Sequence, residues 1–261
     1  MNAHIVAGIV LAVAGLGLSD LHAQARIIGE PTNGCIADAA DLPLEGRGYT
    51  VMHLERNRHF GHPALIRTVT ELAHDVQQGG GHLRVGDLSL MRGGPMPFGH
   101  HSHQTGLDAD LWFDLEPTLK HSLNPLRSNV SATRLLDATG HALDNRLWGD
   151  RQEYAVKAAA LIAGVDRVFV NPLIKRRLCQ TSKGDRSWLR RIRPWYGHDD
   201  HFHLRLACPE NSPECIPQAS VPSGEGCDAS LEWWFQRHPP ETGAPTIPKP
   251  PLPTACTAIL K

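Results

Sequence analysis

The sequence lacks most of the short motifs that identify enzymes and binding proteins. It has no H-E-x-x-H helix, no G-x-S-x-G or S-x-x-K serine motif, no C-x-x-C pair and no phosphate, nucleotide or flavin motif. These absences argue against a zincin site, a serine nucleophile, a thiolate zinc or redox centre and a nucleotide-dependent activity. The net charge of −1 provides no field to attract nucleic acid and no polybasic patch for a membrane surface.

An apolar N-terminal segment is the first feature that is present. Ile5 to Leu18 is apolar or small throughout, and His22 to Ala25 offers A-x-A-like cleavage sites. The pattern predicts a signal peptide over residues 1–25 and no stable membrane span in the mature chain, because the run is too short and Gly-rich. The segment before the run has no Lys or Arg, so a single N-terminal anchor is the alternative.

Six cysteines follow this segment. An even number behind an export signal predicts three disulfides formed in an oxidising compartment, with fifteen connectivities open. Cys208 to Cys215 is favoured as a local loop, because Pro209 and Pro213 promote a turn between them. The other four are Cys35, Cys179, Cys227 and Cys256.

Hydrophobic periodicity predicts both helices and strands. The helices are Pro63–Gln78, Asp150–Gly164 and a short one that starts at Asn171-Pro172. The strands are Tyr49–Leu54, Leu83–Met91, Leu107–Phe113, Val165–Val170 and Phe202–Leu206. From His238 to Pro253 the chain is Pro-rich and predicted to be extended; a disordered tail is the alternative, against which Cys256 argues as a tether.

Two polar runs about ninety residues apart carry the candidate chemistry. They are SHQTGLDAD, Ser102–Asp110, and HDDHFHLRL, His198–Leu206. Strand alternation puts Asp110 and His203 on the polar faces of two strands, and a turn offers His103. Imidazole and carboxylate ligands suit zinc, and three of them leave a tetrahedral zinc the open position that hydrolysis needs. A surface histidine cluster, or a transport site closed by a fourth ligand, is the alternative.

Two further histidines beside this set are candidates for catalysis. His201 lies on the same strand face as His203, roughly 6–7 Å away at the backbone, and is the predicted general base. His198 is predicted to polarise the scissile carbonyl or to stabilise the developing oxyanion. His100 either completes the ligand shell or is a solvated loop residue.

Aromatic residues flank the second run. Trp195 and Tyr196 are predicted to be either core or the wall of a cleft. Trp233, Trp234 and Phe235 are predicted to be core rather than a platform for a ligand.

At the two polar runs the sequence resembles the penicillin-insensitive murein endopeptidases, which are grouped with lysostaphin-type and D-Ala-D-Ala zinc peptidases. The resemblance implies hydrolysis of the D-alanyl–meso-diaminopimelyl cross-bridge of peptidoglycan. It covers most of the chain after the signal, including Asn33–Cys35, Phe60–Pro63, Phe169–Pro172, Asp185–Trp195 and the tail closed by Cys256.

The resemblance also implies a fold and a site. The fold is α+β, disulfide-stapled, with helices and loops around a small central antiparallel sheet that carries the zinc. The zinc ligands are His103, Asp110 and His203, with His100 approaching the metal, and His198 and His201 are the remaining active-site histidines. The implied disulfides are Cys35–Cys256, Cys179–Cys227 and Cys208–Cys215.

Two features depart from the family pattern. Asp199 and Asp200 stand between the histidines of the second run, and their charge is predicted to raise histidine pKa values. A second metal in the family is bound by an Asp and a His between the two runs. Asp137 and His141 are the candidates here, although their spacing is one residue longer than the pattern.

These observations predict a periplasmic zinc DD-endopeptidase, with a signal peptide (1–25), a peptidase domain (26–237) and a Pro-rich tail (238–261) tethered by Cys256. Its partner is cross-linked peptidoglycan, and its oligomeric state is left open, with a dimer as one option. The alternatives are a D-Ala-D-Ala carboxypeptidase or dipeptidase of the same superfamily, and a non-catalytic periplasmic metal-binding protein.

Overall fold

The computed structural model describes residues 24–117, 126–236 and 250–261. Nearly all of the predicted signal segment and most of the Pro-rich tail lie outside these residues. The strands are β1 (Arg26–Glu30), β2 (Asn33–Ala37), β3 (Ala40–Asp41), β4 (Glu45–Gly46), β5 (Tyr49–Val51), β6 (Phe60–Gly61), β7 (Leu83–Val85), β8 (Asp108–Trp112), β9 (Val165–Val170), β10 (Ile192–Pro194) and β11 (His201–Leu206). The α-helices are α1 (Pro63–Gln78), α2 (Asp150–Leu161), α3 (Pro172–Thr181), α4 (Ala229–Glu232) and α5 (Thr254–Ile259).

A seven-stranded sheet organises the molecule, in the order β10-β9-β11-β8-β7-β5-β4. The α+β class is confirmed, but the sheet is larger than predicted and mixed. Strands β9, β11, β8 and β7 pair antiparallel, whereas β10 lies parallel to β9 and β5 parallel to β7. Each parallel pair is joined through a helix, α3 or α1, and such a crossover is the connection that parallel strands require.

Two of the predicted helices begin at their capping residues. Helix α1 has its predicted bounds: the His62 side chain accepts a hydrogen bond from the Ala64 amide, and Pro63 occupies the first turn. Helix α3 begins in the same way, with Asn171 accepting from the Leu173 amide. The buried face of α1 consists of Leu65, Thr68, Val69, Leu72, Ala73 and Val76.

The predicted strand Leu83–Met91 is wrong in its second half. Strand β7 ends at Val85, because the chain then changes its hydrogen-bonding partner. The amide of Leu88 donates to the Arg58 carbonyl, and Ser89 pairs with Phe60. This departure from the sheet brings the Leu88 carbonyl and the Asp87 carboxylate beside the histidines described below. Helix α2 likewise ends at Leu161, three residues before the predicted stop.

Three disulfides tie the outer segments to this body. The bonds are Cys35–Cys256, Cys179–Cys227 and Cys208–Cys215, the pairing that the family resemblance implies. The first joins α5 to β2 across 221 residues, and both of its cysteines are fully buried. None of the helices in the described part of the chain has the length and apolar composition that crossing a bilayer requires.

Candidate active site

Strands β8 and β11 form the floor of the site. They pair antiparallel, with His203 directly opposite Asp110 and Arg205 opposite Asp108. The alternation in the two sequence runs therefore predicts the shared polar face correctly. His103 comes to the same face from the turn before β8, where Gly106 has a positive φ and its backbone lies against His62.

One carboxylate lies at the centre of the candidate ligands. Asp110 Oδ1 is 3.3 Å from His103 Nε2 and 3.1 Å from His203 Nδ1. Asp110 Oδ2 is 3.4 Å from His100 Nδ1. Among the described residues, His100, His103 and Asp110 form a group whose ligand atoms could share one metal ion. The structure thus brings together all four predicted ligand positions.

The hydrogen bonding of these side chains fits a metal. His103 Nε2 and Asp110 Oδ1 are buried, and neither atom has a hydrogen-bond partner. Leaving a buried polar atom unpaired costs about 1–3 kcal/mol, so such atoms commonly bind something else. The outward nitrogens are already in use: His103 Nδ1 donates to the Leu88 carbonyl at 2.6 Å, and His203 Nε2 lies 2.8 Å from Asp108. This arrangement orients metal-binding histidines.

Asp108 is a supporting residue to which sequence reasoning assigned no role. Its carboxylate is fully buried and accepts hydrogen bonds from Arg205 Nε at 2.5 Å and from the His103 amide at 3.0 Å, beside the His203 contact. Burial works to raise its pKa, but the charges of Arg205 and His203 outweigh burial and hold the pKa well below its usual range. Asp108 therefore stays ionised and connects the His103 backbone to His203 and Arg205 on β11.

Asp87 performs a similar task for His100 and was also missed. It lies 2.9 Å from His100 Nε2 and pairs with Arg58 at 2.7 Å and Arg56 at 3.1 Å. Burial opposes its ionisation, but the His100 hydrogen bond and the two guanidinium groups lower its pKa to about 2. His100 is thereby held with Nδ1 toward Asp110. An isolated Asp in an apolar strand pattern gave no sequence signal for this contact.

The two predicted catalytic histidines have opposite electrostatic environments. His201 Nδ1 donates to Asp200 at 2.5 Å, and its Nε2 lies 3.6 Å from Asp110. Burial disfavours its charged form, but Asp110, Asp200 and Asp199 raise the pKa of His201 to about 9. For His201 the direction agrees with the predicted effect of Asp199 and Asp200, which act together with Asp110.

For His198, burial and the neighbouring imidazoles of His201 and His203 lower the pKa to about 4. Its Nδ1 donates to the Tyr196 carbonyl at 3.1 Å. His198 and His103 both have a left-handed backbone, with φ of +50° and +65°. Such conformations persist in non-glycine residues where surrounding contacts enforce them, and they concentrate at functional sites.

The two candidates for a second metal site, Asp137 and His141, lie in one exposed turn. Asp137 Oδ1 accepts hydrogen bonds from the Thr139 hydroxyl and from the amides of His141 and Ala142. Its carboxylate therefore closes an exposed turn. No group of three ligand residues that includes Asp137 or His141 occurs in the described part of the chain.

A cleft of about 340 Å³ opens beside the histidines, and its lining includes Phe169, Trp195, His198 and His203. Trp195 is 55% exposed, so of its two predicted locations the cleft wall is correct. The prediction that Trp233 belongs to the core is wrong, since it is 48% exposed. Trp233 packs against Trp234, which contacts Trp195 in the loop between β10 and β11.

An α+β fold with buried imidazoles and one carboxylate beside an open cleft is typical of metal-dependent hydrolases. A profile of the family described as "Penicillin-insensitive murein endopeptidase" matches residues 27–261. The chain belongs to this family and is a peptidase that acts as a murein endopeptidase.

Curated relatives that carry the same name agree with this assignment. A protein of Haemophilus influenzae is 42% identical over 241 residues, which cover 91% of this chain and 83% of the relative. Proteins of Pectobacterium atrosepticum (89% and 83% covered) and Klebsiella pneumoniae strain 342 (91% and 86% covered) are also 42% identical. A cell-wall substrate and three disulfides are consistent with an extracytoplasmic location.

Proposed function

We propose that this murein endopeptidase is a zinc enzyme of the periplasm that hydrolyses the D-alanyl–meso-diaminopimelyl cross-bridge. The observation that carries the zinc assignment is the pair of buried atoms without hydrogen bonds, His103 Nε2 and Asp110 Oδ1. They face each other at 3.3 Å, beside His203 Nδ1. Two nitrogens and one oxygen form a ligand set that zinc accepts with a position left open.

His103, Asp110 and His203 would hold the ion, and His100 is close enough to Asp110 to approach it. When bound, zinc supplies Lewis acidity, which polarises a carbonyl and makes water more acidic. The protein supplies the orientation of the ligands through Leu88, Asp108 and Asp87. Insensitivity to penicillin follows, because β-lactams acylate a serine nucleophile and this chemistry needs none.

His201 is the proposed general base. Its Nδ1 proton is committed to Asp200, so Nε2 is the nitrogen that can take a proton from the attacking water. The charge of Asp110 contributes to the raised pKa of His201. With a cation bound, the charge of Asp110 would be offset, and the pKa of His201 would return toward the range that a base requires near neutral pH.

His198 is the proposed stabiliser of negative charge on the scissile carbonyl oxygen. Because Nδ1 donates to the Tyr196 carbonyl, Nε2 can donate a hydrogen bond only when His198 is protonated. With its pKa near 4, the free side chain is neutral. Negative charge developing beside it favours protonation, so this interaction strengthens as the carbonyl oxygen becomes charged.

The location and the domain limits belong to the same proposal. Residues 1–25 are a signal peptide, residues 26–237 form the peptidase domain, and the tail 238–261 is tethered by Cys256. Disulfides that enclose long stretches of chain form in oxidising compartments, and the periplasm holds the substrate as well.

Digestion of purified 4,3-linked muropeptide dimers, followed by mass spectrometry, tests the function. We expect conversion to monomers that stops with chelator and resumes when zinc is added. His103→Ala should lose both zinc and activity, while the control His74→Ala, on helix α1 and outside the candidate site, should keep both. Release of terminal D-Ala from monomers with intact dimer would identify a carboxypeptidase. Bound zinc with no product from either substrate would identify a metal carrier.

A further inference from the structure

Four aromatic side chains form a ridge at one end of the cleft: the exposed Trp195, Tyr196 and Trp233, and the half-buried Trp234. Trp195 and Trp234 have ring centroids 5.8 Å apart, and Tyr196 and Trp234 are 4.9 Å apart. Trp233 meets Trp234 edge-on at 5.2 Å. The protein has only 6 Trp, 6 Phe and 3 Tyr, so a large share of its aromatic surface is gathered here.

The ridge is continuous with the candidate active site. Phe169 lies 5.3 Å from the ring of His203 and 5.9 Å from the ring of Trp195. Both Phe169 and Trp195 line the cleft. The rings of His203, Phe169, Trp195 and Trp234 therefore form a series of three steps, in which the centroids of successive rings are less than 6 Å apart.

The ridge is largely exposed, and a hydrogen bond within it holds its two segments together. Trp195, Tyr196 and Trp233 are 55%, 54% and 48% exposed, which is unusual for such large rings. The Tyr196 hydroxyl donates to the Trp234 carbonyl at 3.0 Å and joins the loop after β10 to the short 3-10 helix Trp233–Phe235. Exposed apolar patches that stand next to a binding cleft commonly bind a ligand, and rigid aromatic rings do so at a low cost in conformational entropy.

We propose that this ridge binds an amino-sugar ring of the glycan strand from which the cleaved peptide branches. The inference rests on the proposed function, because only a murein substrate carries a sugar near the bond that is cut. A four-residue stem spans at most ~14 Å when extended, and the lactyl link and the sugar ring lie beyond it, so the sugar can reach the end of three steps that are each shorter than 6 Å. An uncharged pyranose presents a C–H face that stacks on indole and a polar edge that stays in water.

Paired substrates test the proposal. One is the 4,3-linked dimer that carries its disaccharides, and the other is the same peptide dimer with its sugars removed. We expect Trp234→Ala to lower kcat/KM about tenfold for the first substrate, mainly through KM, and to leave the second unchanged. The control Tyr154→Ala removes a ring that is 44% exposed on α2 and should change neither. Equal losses on both substrates, or no loss on either, overturn the proposal.

A second measurement separates this inference from the proposed function. Chelated, full-length protein is mixed with peptide-free glycan strands, and co-sedimentation is measured for wild type, Trp195→Ala and Trp234→Ala. We expect retention of the wild type and of Tyr154→Ala, with loss in the two ridge variants, whether or not the enzyme cleaves dimers. Equal retention of all four proteins contradicts glycan binding. A concentration-dependent dimer that Trp234→Ala abolishes would instead make the ridge a contact between two copies.

Discussion

Replacing Asp108 by Asn tests whether a buried charge holds the site together. The change keeps the shape of the side chain and removes its charge. Arg205, whose side chain is 6% exposed, then loses the carboxylate 2.5 Å from its Nε. Breaking one partner of a buried ion pair costs about 3–5 kcal/mol, since the other charge remains buried and uncompensated. We expect about 3 kcal/mol, because the Asn oxygen can still accept from Arg205.

A second effect of Asp108→Asn concerns the metal. His103 donates its backbone amide to one Asp108 oxygen, and His203 contacts the other at 2.8 Å. In Asn, an amide nitrogen replaces one of the two carboxylate oxygens. Either the His103 amide or the His203 ring then faces a hydrogen-bond donor instead of an acceptor. Loss of such supporting contacts typically weakens metal affinity ~10–100-fold. Zinc affinity should therefore fall along with stability.

Urea unfolding of the chelated protein and zinc competition with a fluorescent chelator measure the two effects separately. In thermal unfolding, 3 kcal/mol corresponds to a midpoint about 6–12 °C lower for a chain of this size. Asp166→Asn is the matched control, because its pair with Arg167 is partly exposed and worth less than ~1 kcal/mol. An Asp108→Asn protein that equals this control in both stability and zinc affinity would refute the reasoning.

Three further predictions address other parts of the molecule. His201→Ala should abolish dimer cleavage while zinc affinity, measured by competition, stays within about threefold; wild-type turnover would reject its role as base. Lys175 is fully buried with its pKa lowered to about 7, so at this residue the unfolded chain binds more protons than the folded chain, and the contribution of Lys175 to the free energy of unfolding should rise from pH 7 to 9. His201, with its raised pKa, contributes with the opposite sign but equally in wild type and Lys175→Met. The free energy of unfolding of the wild type relative to Lys175→Met should therefore rise from pH 7 to 9 in urea titrations, and the same pH dependence in both proteins contradicts the assignment. The double variant Cys35→Ser, Cys256→Ser should lose about 2–5 kcal/mol in the same assay, because the bond closes a 221-residue separation; unchanged stability would show that α5 needs no tether.

Local signals predicted the parts of the structure that local physics determines. Helix α1 has its predicted bounds because His62 and Pro63 define its start and an apolar face with helical spacing defines its length. Strand β9 was predicted without error from six residues between a Gly stop and an Asn cap. The shared polar face of β8 and β11 also followed, because alternation gives each strand one polar side, which projects into the same cleft. The antiparallel pairing of these two strands was not predicted.

Contacts between distant segments could not be predicted in the same way. The role of Asp87 depends on the chain leaving the sheet after β7 and pairing near Arg58. No periodicity in Leu83–Met91 reveals this change of partner. The parallel strands at both sides of the sheet depend on where α1 and α3 pack, so the sheet was predicted too small. Trp233 was assigned to the core on composition alone, whereas its exposure depends on how the 3-10 helix that carries it packs on the rest of the chain.

Asp108 shows why the ligands of a site can be predicted from sequence while the residues that orient those ligands are missed. Its side chain lies on the same face of β8 as that of Asp110, two residues away. Arg205 and His203 likewise share one face of β11. Ligand types are recognisable in a sequence because few side chains bind zinc, but an Asp beside them is equally consistent with a solvated charge. Burial alone distinguishes these cases, and burial depends on the whole sheet. The pattern to look for is therefore a carboxylate on the same strand face as a candidate ligand. On the neighbouring strand, an Arg lies opposite this carboxylate and two residues from a second candidate ligand.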